Sequence, residues 1–284
     1  AAGESAIAKL YILQDRSEKE AFKNSYLYQI SSICGISLAS LAATLVHYLD
    51  TENSWRVVFF FGGSAAIIGN ILRKNSDITL EKSSEKSLKF YNHAGIKILW
   101  KHKLDLLQIA IINSISHLTY VIPFVTMNHL VPLITNIELK VMMAINSFML
   151  VFDMIMIPLV GKIVSRFKAN IIMLTACWVL AITIVPVWYF LDNASIIYVS
   201  FVRFWIIIWG VVFLCPLNLW LYNKIKGDEK YIVVGMGTTL GASIVGKMAP
   251  AICLVLYYKT GSYMSVAFCL ASMFAIAALL LQRR

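Results

Sequence analysis

Four charged side chains fall inside long apolar runs of this chain: Glu4, Asp153, Arg203 and Lys247. A charge at the centre of a bilayer costs roughly 2.5–3.5 kcal/mol on insertion scales and persists where it faces a cavity or a partner. Asp153 is placed for proton carriage, because exclusion of water disfavours the ionised carboxylate and lets the group load and release a proton. Its alternative is an ion pair with Arg203 or Lys247 that holds it ionised. Arg203 and Lys247 have the chemistry to hold the carboxylate of a zwitterionic or anionic solute, Arg through two parallel N–H donors and Lys as a point charge. A lysine near a span end can instead extend its head toward water and do nothing specific. His117 shares one unusually polar stretch with Asn113, Ser114, Ser116, Thr119 and Tyr120. That stretch fits a cavity lining, and it also fits a hydrogen-bonded contact between helices.

The runs that hold these residues have membrane-spanning length. A bilayer core takes about 20 apolar helical residues to cross. Eight full spans are expected, at Ser25 to Leu49, Trp55 to Leu72, Leu104 to Asn128, Leu139 to Val160, Ile171 to Leu191, Ile196 to Leu221, Ile232 to Tyr258 and Tyr263 to Leu281. The opening stretch, Ala1 to Leu13, reads as the tail of a further span, so sequence upstream of Ala1 is expected. The fold class is therefore an all-α integral membrane protein with eight full transmembrane helices plus a partial one.

Basic residues set the orientation, since Lys and Arg in short loops stay preferentially in the cytoplasm. Alternate connectors hold Arg16, Lys19 and Lys23; the eight from Arg73 to Lys103; Lys162, Arg166 and Lys168; Lys224, Lys226 and Lys230; and Arg283 with Arg284. Together these are 19 of the 25 Lys and Arg, whereas the opposite connectors hold only Arg56, Lys140 and Lys259. The C-terminus is expected in the cytoplasm of a cell, or inner, membrane.

Composition agrees: 59% hydrophobic against 14% charged residues leaves too little polar surface for a soluble domain of this length. The net charge of +10 is mostly this loop bias. It suits an anionic inner leaflet and not nucleic acid, because it is spread over five loops with no aromatic-basic module around it. Cys34, Cys177, Cys215, Cys253 and Cys269 lie in spans, are odd in number and never approach C-x-x-C spacing, so neither a metal nor a disulfide framework is expected. No phosphate-binding glycine loop, H-E-x-x-H or usable G-x-S-x-G is present, so the chain does not read as an enzyme, and no cofactor is expected.

The segment Arg73 to Lys103 is the chain's extended polar connector. With Leu80, Leu88, Phe90, Tyr91, Ile96, Leu99 and Trp100 among its lysines, it reads as a surface amphipathic helix or as a solvated linker. It divides residues 1–72 from residues 104–284, which hold six spans. Pro123, Pro158, Pro186, Pro216 and Pro250 place one proline in each of five successive spans, where kinks shape cavities. Gly235, Gly237, Gly241 and Gly246 give the seventh span a smooth face for close packing.

Several local motifs resemble a known family. Ala2-Gly3-Glu4, then Asp15-Arg16 and Lys19, then Gly35, and Ser54-Trp55-Arg56-Val57 are similar to the fourth to sixth helices of the metabolite:proton symporters. That family belongs to the major facilitator superfamily and includes the proline/betaine transporters. Pro158-Leu159-Val160-Gly161-Lys162-Ile163-Val164-Ser165-Arg166 resembles the superfamily's Gly-x-x-x-Asp-Arg loop, and Gly241-Ala242-Ser243 to Ala249-Pro250 with Thr260-Gly261-Ser262 resembles helix eleven and its exit. The chain departs from the pattern at Ser165, where the loop has Asp, at Lys168-Ala169 and at Lys247, where Gly is common.

The resemblance implies a major facilitator helical bundle lacking about the first three helices. Residues 1–72 are then helices four to six, 73–103 a cytoplasmic linker and 104–284 helices seven to twelve. It also implies a secondary transporter that moves a small polar metabolite with protons, as a monomer, and it gives Glu4 the place of the helix-four acid, for substrate binding or proton coupling, the alternative being a structural pair with a basic residue on a neighbouring helix. Lys9 is off the three- or four-residue spacing that pairs side chains on a helix, so it is not Glu4's natural partner. The competing expectation is a non-transporting, decayed or truncated membrane protein.

Overall fold

A computed structural model describes residues 8–10, 12–14, 16–48, 54–75, 94–227 and 229–282. Among the described residues every regular element is helical: α1 (Glu18–Tyr48), α2 (Ser54–Asn75), α3 (Ala94–Lys101), α4 (Lys103–Ile134), α5 (Leu139–Val164), α6 (Ala169–Tyr189), α7 (Ile196–Lys224), α8 (Glu229–Thr260) and α9 (Met264–Gln282).

Six of them, α4 to α9, are long and apolar enough to cross a membrane, and they fall on the third to eighth expected spans. The chain is a multi-pass helical membrane protein. The expectation of eight full spans is met by these six among the described residues. Helices α1 and α2 form where the first two spans were expected, with 31 and 22 residues. Large apolar side chains on the six helices point outward, Phe148 at 66%, Ile182 at 67% and Ile197 at 79% exposure. Apolar surface on this scale is foreign to a water-soluble monomer and normal against lipid.

Helix ends follow local chemistry. Ser17 and Glu20 form a capping box before α1: the Ser17 N–H donates to Glu20 Oε2 (3.2 Å) and the Glu20 N–H to Ser17 Oγ (3.4 Å). Ser195 Oγ accepts from the Tyr198 N–H at the start of α7 (3.4 Å). Gly261 ends α8 in the left-handed region at φ 65°, a conformation that costs glycine nothing. Lys162, Lys224 and Lys259 sit in the last turns of α5, α7 and α8, where they complement the carbonyl end of the helix dipole.

Helix α7 is the centre of the bundle, packed against α1, α4, α5 and α6. Its Val199, Val202, Ile206, Phe213 and Leu217 join a core cluster with α4, α6, α8 and α9, while its Ile207, Val211, Cys215 and Leu219 join a second cluster with α1 and α5. Lipid offers no hydrophobic drive between helices, so close packing and interhelical hydrogen bonds hold the bundle. Trp205 Nε1 donates to Thr183 Oγ1 (2.9 Å), Gln108 to the Leu280 carbonyl (2.7 Å) and Ser25 to the Cys215 carbonyl (3.0 Å).

Two of the six helices leave α geometry at midspan. In α4 residues Ile122–Thr126 are π-helical around Pro123, with the Met127 N–H bonded to the Ile122 carbonyl. Pro123 has no N–H to offer the Thr119 carbonyl, which is the reason for a local rearrangement at this point. In α8 residues Gly241–Gly246 are π-helical, and Pro250 opens the helical segment that follows. Pro158, Pro186 and Pro216 lie inside continuous helices.

The expected glycine face of α8 exists with one member removed. A Cβ on Gly237 would lie 2.7 Å from Ile109 Cγ2, one on Gly246 2.6 Å from His117 Cβ, and one on Gly241 would run into the Ala110 carbonyl, all on α4; Gly235 has nothing within 4 Å. Residues 76–93 of the connector lie outside the described residues. Its described end is α3, whose Ile98 is buried and whose Leu99 packs on the core, with Ile96 and Trp100 exposed.

Candidate functional site

Asp153 lies on α5 where that helix meets α1, α4 and α7, and it is 4% exposed. It lines a small cavity with Ser116, Thr119, Tyr120 and Phe124 of α4, Ile33 of α1, and Ile207, Gly210, Val211 and Leu214 of α7. The cavity holds about 20 Å³, room for about one water. Gly210 makes the junction tight, since a Cβ there would lie 2.9 Å from Thr119 Cβ. Ser116 and Thr119 donate to the carbonyls of Asn113 (2.7 Å) and Ser116 (3.1 Å) within α4. Among the described residues no hydrogen bond or ion pair reaches the Asp153 carboxyl.

Arg203 does not pair with Asp153. Its side chain is fully buried, and Nη2 donates to Asn146 Oδ1 on α5, while Nε and Nη1 have no partner among the described residues. Asn146 and Asp153 are seven residues apart on α5, as Arg203 and Gly210 are on α7. At 1.5 Å per residue each pair spans about 10.5 Å, so the guanidinium sits two turns from the carboxyl. The expected ion pair is replaced by a neutral amide partner because these two parallel helices bring Asn146, and not Asp153, level with Arg203.

The polar stretch of α4 divides between two faces. Ser116, Thr119 and Tyr120 face the Asp153 cavity, whereas Asn113 and His117 face α8. Asn113 Nδ2 donates to the Thr238 carbonyl (2.9 Å), so its amide serves the contact between α4 and α8. His117 is half-buried against Gly246 and lies within electrostatic reach of Lys9 and Lys247. Lys247 is exposed and, among the described residues, makes no ion pair; Lys9 sits 5.6 Å from the centre of the Tyr28 ring. Glu4 lies outside the described residues.

Two amides belong to this region that sequence reading did not single out. Asn146 is the partner of Arg203. Asn218, one turn beyond Leu214 on the same side of α7, is 2% exposed, and neither of its amide atoms has a partner among the described residues. Each is an amide in an otherwise apolar run, which was the available signal. With Arg203, they place polar groups along one stripe of α7 and the facing side of α5.

All five cysteines are free. Among the described residues no group of three His, Cys, Asp or Glu is placed to hold a metal ion. Compared with known families, curated proteins and solved structures, the chain matches none.

Proposed function

We propose that this chain is a secondary active transporter of the major facilitator fold: a proton symporter of a small polar or zwitterionic metabolite, such as proline, betaine or an organic acid. In this reading α1 and α2 are helices five and six, and α4 to α9 are helices seven to twelve. The protein acts by alternating access in a cell membrane with its C-terminus in the cytoplasm, against an anionic inner leaflet, as a monomer, and without enzymatic chemistry or nucleic acid.

The observation that carries the reading is Asp153, a buried carboxyl with no partner among the described residues, facing a one-water cavity where α1 meets α4, α5 and α7. A carboxylate without a counter-charge is costly in a dry junction, so this packing favours the neutral acid. Loss of the proton favours an arrangement in which the junction parts and water reaches the carboxylate. Two populations that differ in the charge at Asp153 are thereby coupled to the contact of α1 with α5 and α7. Arg203, with two donor nitrogens that have no partner among the described residues, is the group for a solute carboxylate, and His117, Asn113 and Lys247 are further candidates for solute binding.

A second reading, a non-transporting membrane protein, draws on the size of the cavity, which admits a water and no metabolite. Uptake into vesicles separates the two. Asp153→Asn is expected to abolish proton-driven accumulation of solute while leaving exchange intact; accumulation against a gradient that survives the substitution removes the proton-carrier role.

A further inference from the structure

Five charged or titratable side chains meet at one end of the bundle, where α3 runs into α4, α7 ends and α8 begins. Glu229, the first residue of α8, receives Lys101 Nζ on both carboxylate oxygens (3.1 and 3.0 Å) and faces His102 Nε2 at 2.8 Å. The other ring nitrogen, Nδ1, lies 3.4 Å from Asp105 Oδ2 in the first turn of α4. Asp105 Oδ1 is in turn 3.4 Å from Lys224 Nζ in the last turn of α7. Along the series Lys101, Glu229, His102, Asp105, Lys224 the signs alternate once His102 is charged. His102 at 21% and Lys224 at 19% side-chain exposure are the most sheltered members, with Glu229 at 33% and Asp105 at 39%.

His102 is the joint of this series. Remove it, and the pair Lys101 with Glu229, between α3 and α8, is no longer joined to the pair Asp105 with Lys224, between α4 and α7. A neutral imidazole carries one N–H, so it serves one of the two carboxylates and turns a lone pair toward the other; an imidazolium donates to both. Among the described residues the other charges around it on these elements are lysines: Lys97 of α3, Lys103 of α4 and Lys226 after α7 are exposed, and Lys230 of α8 is held over the rings of Tyr222 (3.9 Å) and Tyr231 (5.3 Å).

We propose that these five side chains form a proton-operated latch, closed by the His102 imidazolium bridging Asp105 and Glu229, whose deprotonation leaves the start of α8 held by Lys101 and loosens its tie to α4 and α7. The consequence for the fold is specific. Helix α8 is interrupted by its π-helical segment at Gly241–Gly246, so its first half, Glu229–Leu240, is anchored by the latch at one end and by the tight glycine contacts with α4 at the other. Opening the latch loosens that half-helix about the midspan break. The latch rests on contacts among described residues and does not depend on the solute or on Asp153.

Hydrogen–deuterium exchange on the full chain in lipid nanodiscs tests it, with amide protection over residues 229–240 compared at about pH 5.5 and pH 8, the window in which histidine changes charge. After correction for the intrinsic pH dependence of exchange, protection is expected to fall by about tenfold at the higher pH, the effect of about 1.4 kcal/mol on an opening equilibrium. His102→Gln and, as an independent variant, Glu229→Gln are expected to show the low protection at both pH values. Asp153→Asn is expected to keep the wild-type pH dependence, so the latch and the transport reading stand or fall apart from each other. Equal protection at the two pH values in the wild type, or a pH dependence that survives His102→Gln or disappears in Asp153→Asn, overturns the latch.

Discussion

Arg203 illustrates how much one buried side chain constrains its neighbours. A guanidinium brings five N–H donors, and among the described residues the Nη2 group alone has an acceptor, Asn146. A hydrogen bond to a charged group contributes about 1.5–3 kcal/mol. Asn146→Ala is therefore expected to lower stability by about that amount, read as a loss of thermal stability in detergent, whereas Phe148→Ala on the outward face of α5 changes it little; similar losses for the two variants would deny Asn146 its role. The unused donors make a second prediction. A solute with a carboxylate is expected to raise the unfolding temperature of the wild type and to have no effect on Arg203→Met, and protection that persists in Arg203→Met moves the anion site elsewhere. At this scale the sequence was readable in part. Asp153, Arg203 and Lys247 stood out because charge in an apolar run is rare and costly. Asn146 and Asn218 did not, because an amide in such a run is also an ordinary helix-to-helix tie, the use the structure makes of Asn113.

At the scale of elements, the contact between α4 and α8 decides how closely the polar stretch of α4 is covered. Gly237, Gly241 and Gly246 let the two backbones approach until Cβ atoms have no room, while Gly235 looks onto open space. Gly241→Ala drives a methyl into the Ala110 backbone carbonyl, which cannot rotate away as a side-chain tip can. Overpacking of this kind costs about 1–3 kcal/mol. Gly235→Ala is expected to be neutral or stabilising by up to about 1 kcal/mol through helix propensity. Thermal unfolding of the two variants side by side checks this, and a Gly241→Ala protein as stable as Gly235→Ala would falsify the close approach. The G-x-x-x-G spacing of Gly237 and Gly241 was legible. That Gly246 joins them across a π-helical segment was not, since an α-helical wheel misplaces every residue beyond an inserted π turn.

For the whole molecule, the bundle is organised around α7, which contributes to both core clusters and which, with α5, is the helix α1 packs on. Orientation is the property that the loops carry. Cysteines introduced at Arg166 or Lys226 are expected to react with a membrane-impermeant maleimide from the cytoplasmic side, and those at Lys140 or Lys259 from the outer side; the reverse pattern would overturn the proposed topology. These positions are exposed connector or helix-end residues, and the native cysteines lie within helices.

The sequence by itself determined that this is a helical membrane protein, where its long apolar runs lie and which charges are out of place in them. Those features are one-dimensional: crossing a bilayer requires length and hydropathy within a single segment, and a helix satisfies its own backbone hydrogen bonds. Tertiary structure alone decided that Arg203 meets Asn146, that Asp153 has no partner among the described residues, that the α4 polar stretch divides between two faces, and that His102 bridges Asp105 of α4 and Glu229 of α8. Each of these depends on the register between helices distant in the chain, which side-chain volumes and glycine contacts set and no local pattern encodes.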